Sequence, residues 1–520
     1  MMRDLIIGID AGTSVLKSVA FTLDGTQVGL ASRPNSYTRF GRGRVEQDML
    51  RTWEDARQTL CDLAVIVPDL ANRVMGLAVT GQGDGCWLID ADGEPVGDGL
   101  IWLDSRAAEM AATFVAGPDH AAHYATTGTG LNACQQSIQL AWLQQHQPER
   151  LERATCALHC KDWLYFKLTG VRAVDPSEAV FTYGDFRSRS YAADVSERLG
   201  IARQVRLLPD IVDGAQTHHG LSAAAATATG LPRGLPVVLG YVDVVCSAIG
   251  GGLYDRNGEV GCSILGSTGM HMRMSRGADT VALNPDCSGY TMALPGPDLY
   301  AQIQSNMAAT VNIDWAVEMI RQACAMAGVD THRQALLAGV ESHVAAATPG
   351  DALYHPYILQ AGERGPFMNA DARAQFAGLS TSTTFAGLFR GIYEGLGFAA
   401  RDCYSVMGQI PDEIRVTGGA ARSATLLQIL ADILGASVRR VMREETGAAG
   451  AAMIAAISLG RYSSLATCAN TWVTPTLGAL TGPDPERRAF YNKLFPIYRS
   501  VREAMPPVWA ALAQAREATP

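Results

Sequence analysis

"GIDAGTSVLKSVAF", residues 8–21, sets an apolar run against an acid, a Gly-Thr-Ser turn and a second apolar run. Alone it reads as a β-hairpin, with strands over Leu5–Ile9 and Lys17–Phe21 and Asp10 ending the first. Such a turn can simply reverse the chain, or it can aim backbone N–H groups and hydroxyls at a phosphate. The stretch "ILGSTGMHMRM" at 264–274 repeats the layout of strand, Gly/Thr/Ser turn and returning strand. A second echo pairs "LAVTGQGDG" (77–85) with "IRVTGGAAR" (414–422), each an apolar strand running into Thr-Gly. A duplicated α/β unit accounts for both echoes, and two such turns aimed into one cleft make a phosphate clamp.

The chain has 520 residues, more than one ordinary core accommodates, so two domains of roughly 250 residues are expected. With 48% hydrophobic and 18% charged residues it is a globular composition. The net charge of −9 is spread without a basic block, which argues against a nucleic-acid partner. The apolar run before Asp10 is too short for a signal-peptide core, and no later run approaches about 18 apolar residues. A cytoplasmic protein with no membrane partner is expected. The eleven cysteines are scattered, and Cys156 and Cys160 around His159 lack a second pair at zinc-like spacing, so reduced thiols are expected.

Strand-like and helix-like segments alternate, the pattern of α/β layers. Further strands are predicted at Val74–Val79, Val237–Leu239, Ser263–Leu265 and Glu413–Val416, and helices at Met49–Leu63, Ala107–Phe114, Ile138–Gln145, Phe385–Met407 and Ala424–Leu434. "GYVDVVCSAIGGG" (240–252) and "TGAAGAAMIAAISLG" (446–460) read as helices with faces of Gly, Ala and Ser. They suit either tight core packing or a crossing at a hinge between the halves. Asp10, at the end of a buried strand beside phosphates, calls for a cation, so Mg²⁺ is expected there, through water. Lys17 would add positive charge near the transferred group.

The motifs taken together resemble the FGGY carbohydrate kinase family. The resemblance spans most of the chain and is carried by "GIDAGTSVLKSVAF", "IWLDSRAAEM" (101–110), "DWLYFKLTG" (162–170), "GYVDVVCSAIGGG", "HPYILQAGERGPFMNADARAQFAGLS" (355–380), "RGIYEGLGFAARD" (390–402), "IRVTGGAARSATLLQILADILG" (414–435) and "ETGAAGAAMIAA" (445–456). It implies two ribonuclease H-like domains of the actin and hexokinase type flanking a cleft. These are an N-terminal domain at 1–248, holding the polyol, the first phosphate turn and the base, and an ATP-binding C-terminal domain at 249–520 with a helical extension.

By the same resemblance Asp243 falls where the family places its catalytic base, although an Asp near a helix start is also an N-cap. Gly12, Thr13, Ser14 and Lys17, with Ser267, Thr268 and Gly269, would hold the phosphates of ATP–Mg²⁺. Gly418, Gly419 and Ser423 would form the adenosine-side loop. Gln82, Gly83, Asp84, Trp102, Asp104 and Asp243 would meet a small polyol through its hydroxyls. Trp87 and Trp102 either wall that pocket or belong to the core. "TGQGDGCW" (80–87) lacks the Met-His of the family's xylulose kinases and the Arg-Glu of its glycerol kinases. The combination of "GQGDGCWLID", "TGTGLNACQQ" (127–136), "HCKDWLY" (159–165), "GYVDVVCSAIGGG" and "ILGSTGMHMRM" instead resembles the family's erythritol-phosphorylating members, a resemblance that implies formation of L-erythritol 4-phosphate, also named D-erythritol 1-phosphate. Another polyol or ketose kinase of the family, or a non-catalytic ATP-binding sugar sensor, is the alternative. Family members are often homodimers.

Overall fold

In the computed structural model, which describes residues 3–41, 43–254 and 259–517, the opening hairpin forms where the sequence places it. Strand β1 (Leu5–Ala11) returns through Gly12–Ser14 as β2 (Val15–Thr22), with Asp10 opposite Lys17. Strand β3 (Gln27–Pro34) extends the meander, while β4 (Val74–Gly81) lies parallel to β1. With β5 (His219–Gly220) and β6 (Pro236–Leu239) the sheet order is β5-β6-β4-β1-β2-β3.

Apart from Asp10, strand β1 is apolar because both faces of its sheet are covered. Leu5, Ile7 and Ile9 enter the core beneath α1 (Met49–Ile66) and α2 (Cys160–Thr169). Ile6 enters the opposite core, which lies between the two halves. The first half also contributes α3 (Pro176–Tyr183) and α4 (Asp243–Gly250).

The second half repeats the plan. Strand β7 (Val260–Leu265) pairs antiparallel with β8 (Gly269–Arg276), followed by β9 (Tyr290–Ala293), β10 (Leu299–Asn306), β11 (Glu413–Thr417), β12 (Ser437–Val441) and β13 (Leu477–Thr481). The order is β9-β10-β8-β7-β11-β12-β13, and β7 runs parallel to β11 as β1 does to β4. Both sequence echoes are thus equivalent strands of two sheets. Helices α5 (Phe385–Val406) and α6 (Ala424–Leu434) pack together on this half, and α7 (Thr446–Ser458) follows. At the end of the chain α8 (Pro485–Ala504) docks through Tyr491, whose hydroxyl donates to Glu394 Oε1 at 2.6 Å.

The small-residue segments are the crossing between halves. A Cβ on Gly450 of α7 would stand 1.9 Å from the Cys246 carbonyl of α4, and one on Gly250 would stand 2.1 Å from the Thr446 carbonyl. Gly8 of β1 meets α7 equally closely, at 2.1 Å from the Ala448 carbonyl. The α4 helix begins at Asp243 rather than at residue 240, because Gly240 still donates its N–H to the Val79 carbonyl at 2.8 Å. All eleven cysteines are free, and no helix among the described residues is long and apolar enough to cross a membrane.

Candidate active site

A cavity of about 250 Å³ opens between the halves, lined from the first by Thr13, Gln82, Gly83, Asp84, Trp102, Glu178 and Asp243 and from the second by Thr268, Tyr290 and Arg364, among others. One threonine from each Gly/Thr/Ser turn therefore faces the same space. Asp243 reaches it because the helix starts there: it occupies the first turn of α4, and Val242 before it donates its N–H to Ser177 Oγ at 3.2 Å.

The first turn is held by a ring of side chains. Trp102 Nε1 donates to Thr13 Oγ1 at 2.6 Å, and Thr13 Oγ1 donates to Gln82 Oε1 at 3.2 Å. Gln82 donates in turn to Gln47 Oε1 at 2.8 Å, Gln47 to Asn35 Oδ1 at 2.8 Å, and Asn35 back to the Gly12 carbonyl at 2.8 Å. Each amide orients the next, so the turn is fixed in advance of any ligand. Ser14 stands exposed at its tip.

The second turn is fixed by backbone and a threonine. Gly266 N–H donates to the Thr268 carbonyl at 3.0 Å, Ala309 N–H to the Ser267 carbonyl at 2.8 Å, and Thr310 Oγ1 to the Gly266 carbonyl at 2.8 Å. Gly418 packs against its base. The φ there is +89°, and a Cβ would lie 2.5 Å from the Leu265 carbonyl, so glycine is required twice over. Gly419 has open space where a side chain would be. Ser423 caps α6, accepting the Leu426 N–H at 3.0 Å, and its hydroxyl donates to Glu341 Oε1 at 2.7 Å.

Burial sets the electrostatics. It pushes the Asp243 carboxyl up to about 7, and the neighbouring Asp10 charge adds to the rise. Burial likewise pushes Asp10 up to about 6, against the pull of Lys17. The Asp10 carboxylate accepts no hydrogen bond among the described residues, and a Cβ on Gly447 at the start of α7 would touch its Oδ2 at 2.5 Å. A hard anionic oxygen without a protein donor, beside a second carboxylate, fits a hydrated Mg²⁺.

Of the expected site residues, Asp104 sits differently. Asp104 is kept out of the cavity: it is buried, accepts the Val45 N–H at 2.6 Å and is clamped by the Arg106 guanidinium at 2.7 Å. Its carboxylate is consumed by that pair, so no oxygen is left for a ligand. Trp87 is a core residue, fully buried against Gly99. Lys17 pairs with Glu445 Oε2 at 2.7 Å across the halves.

Sequence reasoning missed Glu178, Tyr290 and Arg364. Glu178 follows Asp-Pro-Ser and carries only a helix-start signal, and Tyr290 lies on an ordinary strand. Arg364 lies within the quoted "HPYILQAGERGPFMNADARAQFAGLS", where nothing separates it from the other charged residues.

Two halves of one α/β plan, each presenting a hydroxyl-bearing turn to a shared cavity that also holds buried carboxylates, define a two-domain sugar kinase fold. Family models for the FGGY family of carbohydrate kinases match both parts of the chain, the N-terminal domain over residues 5–250 and the C-terminal domain over 261–459. The chain belongs to the FGGY family of carbohydrate kinases. It is 50% identical over 513 residues to the erythritol kinase of Brucella abortus (strain 2308), covering 99% of this chain and 98% of that relative. It is 25% identical to the L-xylulose/3-keto-L-gulonate kinase of Escherichia coli (strain K12), covering 97% and 98% of the two chains. Among solved structures, the xylulose kinase from Rhodospirillum rubrum superposes with a TM-score of 0.86 at 26% identity, covering 97% of this chain and 100% of that one. Plasmodium falciparum glycerol kinase with ADP shares the fold, with a TM-score of 0.83 at 17% identity over 97% and 99% of the two chains.

Proposed function

We propose that this kinase transfers the γ-phosphoryl group of ATP to a terminal hydroxyl of erythritol. The observation that carries the substrate is the 50% identity, over 99% of the chain, to the Brucella erythritol kinase. The small cavity agrees, since its polar wall of Gln82, Asp84 and Asp243 suits a ligand that offers only hydroxyl groups.

In this reading the polyol lies against Gln82, Gly83, Asp84 and Trp102, with its terminal hydroxyl at Asp243. The Asp243 carboxylate takes the hydroxyl proton as the oxygen attacks the γ-phosphorus and the bond from that phosphorus to the bridging oxygen breaks, releasing ADP, while Thr13, Ser14, Ser267, Thr268 and Gly269 hold the phosphates in line. Gly418, Gly419 and Ser423 take the adenosine side. Mg²⁺, held through water by Asp10, would supply neutralisation of phosphate charge. Most of the rate enhancement is positioning, with roughly 10²–10⁴-fold from the base. Cytoplasmic location and a homodimeric assembly belong to the same proposal.

The test is a coupled ADP-release assay with ATP–Mg²⁺ against erythritol, glycerol, threitol, ribitol, D-xylulose, L-xylulose and D-ribulose. Erythritol should give by far the highest kcat/KM. A ketose ahead of it would replace the substrate while keeping the chemistry, and ATP binding with no turnover on any acceptor would leave a sensor.

A further inference from the structure

Glu178 lies in the first turn of α3, behind Asp175, which caps the helix by accepting the Ser177 N–H at 2.8 Å. An acid in that turn is ordinary helix chemistry. Its surroundings are not. The carboxyl is fully buried beneath the Gln82-Gly83-Asp84 turn, where Oε1 accepts the Asp84 N–H at 3.2 Å. A Cβ on Gly83 would stand 2.9 Å from that oxygen and 2.5 Å from Val242 Cγ2, so the missing side chain at 83 is what gives Glu178 its place on the cavity wall.

Two buried oxygens on that wall, Glu178 Oε2 and Asp84 Oδ1, accept no aligned hydrogen bond. His159 Nδ1 stands 3.3 Å from Glu178 Oε2 but is committed to Asp162 Oδ2 at 2.8 Å. Lys161 closes the network from behind, 2.5 Å from Asp162 Oδ1 and 2.6 Å from Asp175 Oδ2. An unmet buried acceptor is destabilising, and a buried charge network is itself costly unless something requires it. A ligand rich in hydroxyl donors would meet both oxygens. The buried ion pairs behind hold α3 against the turn, so the spacing of the two acceptors is rigid.

We propose that Glu178 is a specificity-determining residue of the acceptor site, accepting hydroxyl hydrogens of the polyol together with Asp84. The inference rests on the polyol-kinase reading and deepens it: two acceptors at a fixed spacing distinguish the relative configuration of neighbouring hydroxyls, the feature that separates erythritol from threitol.

The experiment compares wild type, Glu178→Ala, Glu178→Asp and Gly83→Ala by calorimetric binding of erythritol and threitol without nucleotide, and by steady-state kinetics. Glu178→Ala should weaken erythritol binding and raise its KM at least 30-fold while leaving the KM for ATP within twofold. Glu178→Asp should recover part of that loss and change the erythritol-to-threitol ratio at least fivefold. Gly83→Ala keeps the carboxyl and its ion network but displaces the group, and should raise the erythritol KM in the same direction even where Glu178→Ala fails to fold. Wild-type polyol affinity in these variants, or an equal loss for ATP and polyol, overturns the inference. If wild type prefers another acceptor, the erythritol assignment alone fails, and the same comparison run with that acceptor decides Glu178.

Discussion

Lys17 Nζ lies 2.7 Å from Glu445 Oε2, tying the returning strand of the first hairpin to the residue just ahead of α7 in the other half. The pair is partly exposed and contributes no more than about 1 kcal/mol to stability. It holds the lysine beside Asp10, where the transferred phosphate would lie. Lys17→Ala should therefore raise the KM for ATP at least fivefold with a melting temperature close to wild type. An unchanged KM for ATP would remove Lys17 from the phosphate site.

Asp243→Asn leaves the helix start and its neighbours in place but removes the proposed proton acceptor. Turnover should fall roughly 10²–10⁴-fold with nucleotide affinity nearly intact. Wild-type-like turnover would sink the assignment of the base.

Asp104 is structural. Replacing it with Ala leaves the buried Arg106 guanidinium with Glu46 alone and the Val45 N–H without its acceptor, and should cost about 1–3 kcal/mol in chemical denaturation. At a temperature where the variant is folded, its KM for polyol should match wild type. A selective rise in polyol KM would return Asp104 to the acceptor site.

The helix crossing makes opposite predictions for two glycines. Gly450→Ala drives a Cβ into the Cys246 carbonyl and should destabilise by about 3 kcal/mol or more, with activity lost in step. Gly339, exposed in the helix Arg333–Ala346, has open space around it, so Gly339→Ala should stabilise by about 0.5–1 kcal/mol. Equal effects at both positions would contradict the crossing.

Acid should unfold the protein partly through His271. Burial pushes it down to about 4, and as a neutral ring it bonds Ser263 Oγ at 3.0 Å and Asn306 Oδ1 at 3.1 Å. The folded value lies below the ordinary 6.5, so the unfolded chain binds the proton first. The contribution is full above pH 6.5 and is lost as pH falls toward 4. His271→Gln should flatten the dependence of unfolding free energy on pH near 5 by about 1.4 kcal/mol per unit. An unaltered slope would show that His271 does not titrate on unfolding.

The sequence by itself determined the doubled α/β plan, because strand, turn and Thr-Gly signals are local and recur in both halves. Strands β1, β4 and β11 and helices α1, α5 and α6 fall where apolar periodicity and their caps put them. That Thr13 and Thr268 would face one cleft was legible for the same reason. Tertiary structure decided the rest. Asp104 and Asp84 look alike in sequence, yet one faces Arg106 and the other the cavity, because the partner of a buried charge comes from elsewhere in the chain. Glu178 and Arg364 enter the site from segments 94 and 280 residues beyond Asp84, as the numbering gives. The glycines of α4 and α7 could serve any tight packing until the Cys246 and Thr446 carbonyls showed what they must clear. Local propensity fixes which elements form; the desolvation of each charge, and therefore its chemistry, depends on what the fold brings against it.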